Sequence, residues 1–133
     1  MTNTAIQPPG IVEIPGLTHV IVATGSRHVY IAGQIPIDAT GALVGPGDLR
    51  AQAVASFEHL ATCLDAAGAT TADIVRATFW IVDYGPDSLD AIYGAAFEVF
   101  GADVPASTST LVGVAALFHP GQLFEVDAIA VLD

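Results

Sequence analysis

Glu125 and Asp127 stand two residues apart in the run Phe124-Glu125-Val126-Asp127-Ala128-Ile129-Ala130. In a strand, side chains two apart point to the same face. The run would therefore present two carboxylates together, the groups that position water and move protons. Taken alone, the pair reads sooner as solvated surface carboxylates. Thr108, Ser109 and Thr110 put three hydroxyls in a row, which in a strand is often only a choice of β-formers. His19, His28, His59 and His119 show no metal-ligand spacing, so no metal is expected. There is no Gly-x-Ser-x-Gly elbow and no readable Ser-His-Asp arrangement. His59 falls within a helical pattern and reads as a surface residue. His119, before Pro120, and His19, at a strand start, could each reach a cleft rim. Cys63, the only cysteine, lies among Leu60, Leu64 and Ala67 and reads as a small buried apolar residue.

The elements that must position these groups follow from periodicity. Residues 1–16, with Pro8, Pro9, Gly10, Pro15 and Gly16, read as an extended arm. Strands are expected at His19–Ala23 and His28–Gln34, joined by a hairpin turn at Thr24-Gly25-Ser26-Arg27. Asp38-Ala39-Thr40-Gly41 is a further turn. Asp48 is placed to cap a helix running to about Ala67 with Gly68 just beyond, its stripe being Leu49, Ala53, Phe57, Leu60 and Leu64. A strand at Arg76–Asp83 follows. Ser88 is placed to cap a second helix whose one face carries Leu89, Ile92, Tyr93, Ala96, Phe97 and Phe100. Strands at Thr108–Leu117 and Leu123–Leu132 flank a turn at Phe118-His119-Pro120-Gly121. The order β-β-α-β-α-β-β is an α+β plan: one domain over residues 1–133, a mixed sheet with two helices on one face. Its other face needs cover, which an oligomer would provide.

Composition agrees. The 133 residues are 53% hydrophobic and only 13% charged, an apolar surplus that suggests surface buried against partner subunits. No lysine is present, and Arg27, Arg50 and Arg76 face 14 carboxylates for a formal charge of −11. Such a chain repels phosphate backbones and anionic lipid, so neither nucleic acid nor a membrane is an expected partner. No apolar run approaches the ~18 residues a spanning helix needs, and the first ten residues lack the basic and apolar regions of a secretory signal. A cytoplasmic protein is expected.

Three segments carry a resemblance. Ala32-Gly33-Gln34-Ile35-Pro36 resembles the [SA]-G-Q-I-P signature of the RidA/YjgF family of enamine/imine deaminases. Leu64-Asp65-Ala66-Ala67-Gly68-Ala69 is similar to that family's L-x-A-A-G-A/S, and Phe124–Ala130 to its V-E-I-E-A-I-A strand. They occur in the family's order and spacing over about residues 15–132. The resemblance implies a chorismate-mutase-like fold and a homotrimer whose sheets form a central barrel, with small-molecule ligands in clefts between subunits. It also implies cofactor-free hydrolysis of reactive enamines and imines to ketone and ammonia. A ribonuclease activity sometimes attached to the family is argued against by the charge of −11.

Carried over residue by residue, the match is partial. The water-activating glutamate corresponds to Glu125. The carboxylate-binding arginine falls on Ser109 when counted back from Val112-Gly113-Val114, and on Ser107 when counted forward from Pro105-Ala106. Leu17 stands where the family commonly has tyrosine, and Asp90, before Tyr93, where it often has asparagine. Candidate ligand contacts are thus Ser109, Thr110, Gly33, Leu17, Tyr93 and His119. A bidentate Arg–carboxylate pair is worth a few kcal/mol in a partly dry site, and a serine supplies roughly a third to a half of that. α-Imino acids are therefore expected to be poor substrates. The implied function is water addition to an imine or enamine lacking an α-carboxylate. The alternatives are a pathway-specific enzyme using the same cleft and a non-catalytic ligand-binding trimer.

Overall fold

The computed structural model describes residues 3–133. Its elements are β1 (Thr4–Ile6), β2 (Val20–Val22), β3 (Arg27–Gln34), α1 (Leu49–Ala66), β4 (Ile74–Val82), α2 (Ser88–Phe100), β5 (Thr108–Val114) and β6 (Phe124–Leu132). Short 3-10 turns precede β4 and follow α2.

Helix α1 begins where Asp48, in extended conformation, accepts the Ala51 N–H at 3.0 Å. It ends where the Ala67 N–H reaches back to Cys63 and Leu64 and Gly68 takes a φ of +70°. Ala53, Phe57, Leu60 and Leu64 are all buried, each large side chain contributing about 1.5–3 kcal/mol. In α2 the expectation needs correcting. Ile92, Ala95 and Ala96 are buried, whereas Tyr93 and Phe97 are 48% and 67% exposed. The small pair Ala95–Ala96 lies on the buried side of the helix, which turns both rings outward. Arg50 of α1 lies across Gly94, where a Cβ would stand 3.0 Å from Nη1, and pairs with Glu98 at 3.2 Å. Ser88 does not cap the helix; its Oγ accepts the Gly85 N–H at 2.9 Å, and Asp87 occupies the cap position.

The main sheet has the order β3-β6-β4-β5, with β6 antiparallel to both neighbours and β4 parallel to β5. The parallel pair exists because α2 carries the chain back to the starting edge. One face of the sheet, with Phe79, Ile81, Phe124, Val126 and Ala128, packs under the helices, and Ala77, two residues before Phe79, is buried on the same face. There Phe57 of α1 meets Phe79 and Phe124 with ring centroids 6.2 and 5.3 Å apart. The other face carries Arg76, Thr78, Trp80, Glu125, Asp127 and Ile129, and among the described residues neither helix packs on it. The architecture is the α+β arrangement expected, two helices on a mixed sheet.

Three local expectations are overturned. The N-terminal arm contains a strand, since Thr4–Ile6 pairs antiparallel with Val20–Val22. The Thr24–Arg27 segment is not a hairpin, because β2 pairs with β1 while β3 pairs with β6. That link crosses the end of β6, where a Cβ on Gly25 would lie 2.7 Å from the Leu132 oxygen. β5 ends at Val114, and residues 115–117 lead into the loop. Among the described residues no helix is long and apolar enough to cross a membrane.

Candidate functional site

Between Ile31 and Gln34 the β3–β6 register shifts, so that Ala32 and Gly33 together oppose Asp127. This is a β-bulge, a device that re-aims side chains. The Glu125 carboxylate lies against the Gly33 backbone; a Cβ on Gly33 would overlap Oε2 and stand 2.6 Å from Cδ. Glu125 Oε1 accepts a hydrogen bond from Gln122 Nε2 at 3.3 Å. Gln122 is itself 2% exposed, and its Oε1 accepts the His119 N–H at 3.1 Å. Behind it, fully buried Gln52 of α1 donates to the Gly45 and Gly121 carbonyls at 3.1 Å and accepts the Leu123 N–H at 2.7 Å. Sequence reasoning missed both glutamines. Gln52 left a signal, a polar residue on the buried side of an apolar stripe; Gln122, in a polar turn, left none.

As the spacing predicted, Glu125 and Asp127 share the open face, but they have different surroundings. Trp80 Nε1 donates to Asp127 Oδ2 at 2.8 Å, which gives Asp127 a structural partner. Arg76 Nη2 donates to Thr110 Oγ1 at 2.6 Å, so Thr110 lies on the open face too. Ser109 does not. It is registered with Ala77 and shares the helix-covered face, while its neighbour Leu111 packs against the core. β4 also separates β5 from β6. Ser109 and Glu125 of one chain therefore face apart.

Leu17 and Ser107 form a second corner. They are bridged, with the Thr18 N–H donating to the Ser107 carbonyl at 3.2 Å. Tyr93 borders this corner, its Cε1 3.8 Å from where a Gly16 Cβ would be. A cleft of about 510 Å³ lined by Ile14, Pro15, Leu17 and Thr18 opens beside it. Glu125 registers with Trp80 and Val112, five residues along the β5 direction from Ser107 and two strands across. That separation is about 16 Å along the strands and about 10 Å across them. Leu17, Ser107 and Tyr93 thus occupy the corner diagonally opposite Gly33 and Glu125.

His119 is half-buried, its Nδ1 donating to the Pro120 carbonyl at 2.8 Å. His19 donates to the Val12 carbonyl at 2.7 Å. His59, expected at the surface, is half-buried and donates to the Ile35 carbonyl at 3.0 Å, tying α1 to the segment after Gly33. Cys63 is half-buried against the core. Among the described residues no three His, Cys, Asp or Glu side chains cluster as a metal site would require.

An α+β chain with two helices on one face of a mixed sheet, and a glutamate set against an Ala-Gly bulge, has the architecture of the YjgF group. Comparison with known proteins makes this definite. The family described as Endoribonuclease L-PSP matches residues 14–132. A Yersinia pestis protein, YyfB of the conserved Rid family, has a solved structure that superposes with a TM-score of 0.89 at 33% identity, covering 99% of this chain and 100% of that one. The 2-iminobutanoate/2-iminopropanoate deaminase of Salmonella typhimurium is 37% identical over 105 residues, 77% of this chain and 78% of its own. Protein DfrA of Myxococcus xanthus is 36% identical over 106 residues, 79% of this chain and 76% of its own. The chain belongs to the RidA/YjgF family.

Proposed function

We propose that the protein is a RidA-type hydrolase acting on a reactive imine or enamine that lacks an α-carboxylate. The observation that carries this is the Glu125 carboxylate, held by Gln122 on the uncovered face of the sheet, while serines stand at both positions to which the family arginine could correspond. Glu125 takes a proton from water as its oxygen adds to the C=N carbon. Glu125 returns that proton to the nitrogen to give the carbinolamine, a second proton passes from the carbinolamine hydroxyl to the nitrogen as the C–N bond breaks, and ketone and ammonia leave. The reaction consumes one water and draws on no cofactor.

The diagonal separation of the two corners supports a site completed between subunits of a homotrimer, the Gly33–Glu125 corner of one facing the Leu17–Ser107–Tyr93 corner of the next. Such an assembly would cover the open face. With a serine in place of the arginine, the small-molecule ligand is neutral or weakly cationic, and the charge of −11 disfavours nucleic acid. A cytoplasmic location fits these properties.

The test is ammonia release from imines generated in situ, half carrying an α-carboxylate, with Glu125→Gln as control. Acceleration confined to carboxylate-free imines and cut about a hundredfold or more in E125Q is the expected result. Equal turnover of α-imino acids would refute the specificity argument. Ligand-dependent stabilisation without turnover of any imine would leave a binding trimer.

A further inference from the structure

A primary amide that is 2% exposed has two N–H groups and one carbonyl to satisfy. Gln122 satisfies all of them. Oε1 accepts the His119 N–H at 3.1 Å, while Nε2 donates to the Phe124 carbonyl at 3.1 Å and to Glu125 Oε1 at 3.3 Å. The orientation is unambiguous, because a flipped amide would set its oxygen against two acceptors and its NH2 against an N–H. The turn carrying Gln122 is pinned in its turn by Gln52, through the Gly121 carbonyl and the Leu123 N–H.

From this geometry we infer that Gln122 is the positioning residue for Glu125, an inference that rests on reading Glu125 as the water-activating group. A glutamate on an open sheet face samples several rotamers, and ordering it costs entropy. The Gln122 amide removes that freedom by holding one carboxylate oxygen while Gly33 leaves room for the other. A buried clamp sets the water-binding direction before substrate arrives, and a misplacement of about 1 Å there costs up to a hundredfold in rate. The clamp also couples the Phe118–His119 loop to the carboxylate, since His119 supplies the proton that Gln122 Oε1 accepts.

The experiment is a cycle of Gln122→Met and Glu125→Gln, singly and together, with kcat and KM measured on the imine that wild type turns over best. Q122M is expected to lower kcat about tenfold or more, with KM within about twofold, and to cost nothing further in E125Q. An equal loss in both backgrounds would show a merely structural role and overturn the inference. Should Q122M fold poorly, Gln122→Glu keeps the shape while replacing both donors with acceptors, and the same cycle applies. A crystal structure of either variant gives a readout independent of turnover. The Glu125 carboxylate is expected to leave Gly33, and its staying in place would overturn the inference. A displaced carboxylate in a protein whose wild type releases no ammonia would instead refute the proposed function and leave the positioning role standing.

Discussion

Glu125 occupies the space that any side chain on Gly33 would need, the carboxyl carbon lying 2.6 Å from an ideal Cβ at that glycine. The bulge opposite Asp127 and the absent Cβ act together: one bends β3 and the other lets the carboxylate lie against its backbone. Gly33→Ala is expected to push Glu125 off this surface. The displaced group is the end of a flexible side chain, so the stability cost should stay near the lower end of the ~1–3 kcal/mol typical of overpacking. Imine hydrolysis should nevertheless fall towards the level of E125Q. Denaturant unfolding and turnover measured on the same preparation check both halves.

Gln52 makes three hydrogen bonds from a fully buried amide. Gln52→Leu leaves the Leu123 N–H and the Gly45 and Gly121 carbonyls to find new partners. The expected loss is about 2–4 kcal/mol, large enough to read as a lower midpoint in urea with little change in slope.

Asp48→Ala removes the N-cap bond to Ala51 and should cost about 1 kcal/mol. Asp48 makes no hydrogen bond to Glu125 or Gln122, so kcat is expected to hold while the unfolding midpoint falls. This makes D48A a control for whether lost stability alone lowers activity.

Asp38 accepts the Thr40 hydroxyl and the Ala42 and Thr40 amides in an Asx-type turn, and these bonds hold its carboxyl below the ordinary 3.8. A depressed folded-state value means the contribution is fully present above 3.8 and is lost as pH falls through the folded value. In acid titrations followed by carboxyl 13C NMR, Asp38 should therefore titrate later than an unperturbed aspartate. Thr40→Ala removes the largest of these interactions and should move its midpoint back up.

What could be read from the sequence followed repeating local chemistry. The Asp48 cap, the Ala53–Phe57–Leu60–Leu64 stripe and the shared face of Glu125 and Asp127 all follow from periods of 3.6 and 2, and all are present. Long-range pairing left less trace. Nothing in Thr4–Ile6 signals that it will meet Val20–Val22, because an edge ribbon lacks a buried face to impose alternation. Tyr93 and Phe97 fit the apolar face of α2 by spacing, yet the small Ala95–Ala96 pair fixes which side is buried. The residues named from the sequence fall into two corners because β4 lies between β5 and β6, and Ser109 falls in neither because it shares the helix-covered face of Ala77.

That division makes a prediction with a sharp outcome. If Glu125 of one subunit works against the Leu17 corner of the next, variants damaged in different corners should repair each other. Leu17→Glu adds bulk and a carboxylate at one corner and leaves Glu125 intact; E125Q does the reverse. Alone, each variant should keep only a small residual turnover of the wild-type imine. Unfolded and refolded together in equal amounts, they assort at random, and a site is intact when the subunit giving Glu125 is the L17E chain and its neighbour is the E125Q chain. Roughly a quarter of sites meet that condition in a cyclic trimer, so about a quarter of wild-type turnover should return. A site confined to one chain would yield none, because no single chain in the mixture carries both corners intact. Sedimentation of the mixture at the trimer mass would show that subunits had reassembled, so that absent activity could be assigned to the site's location.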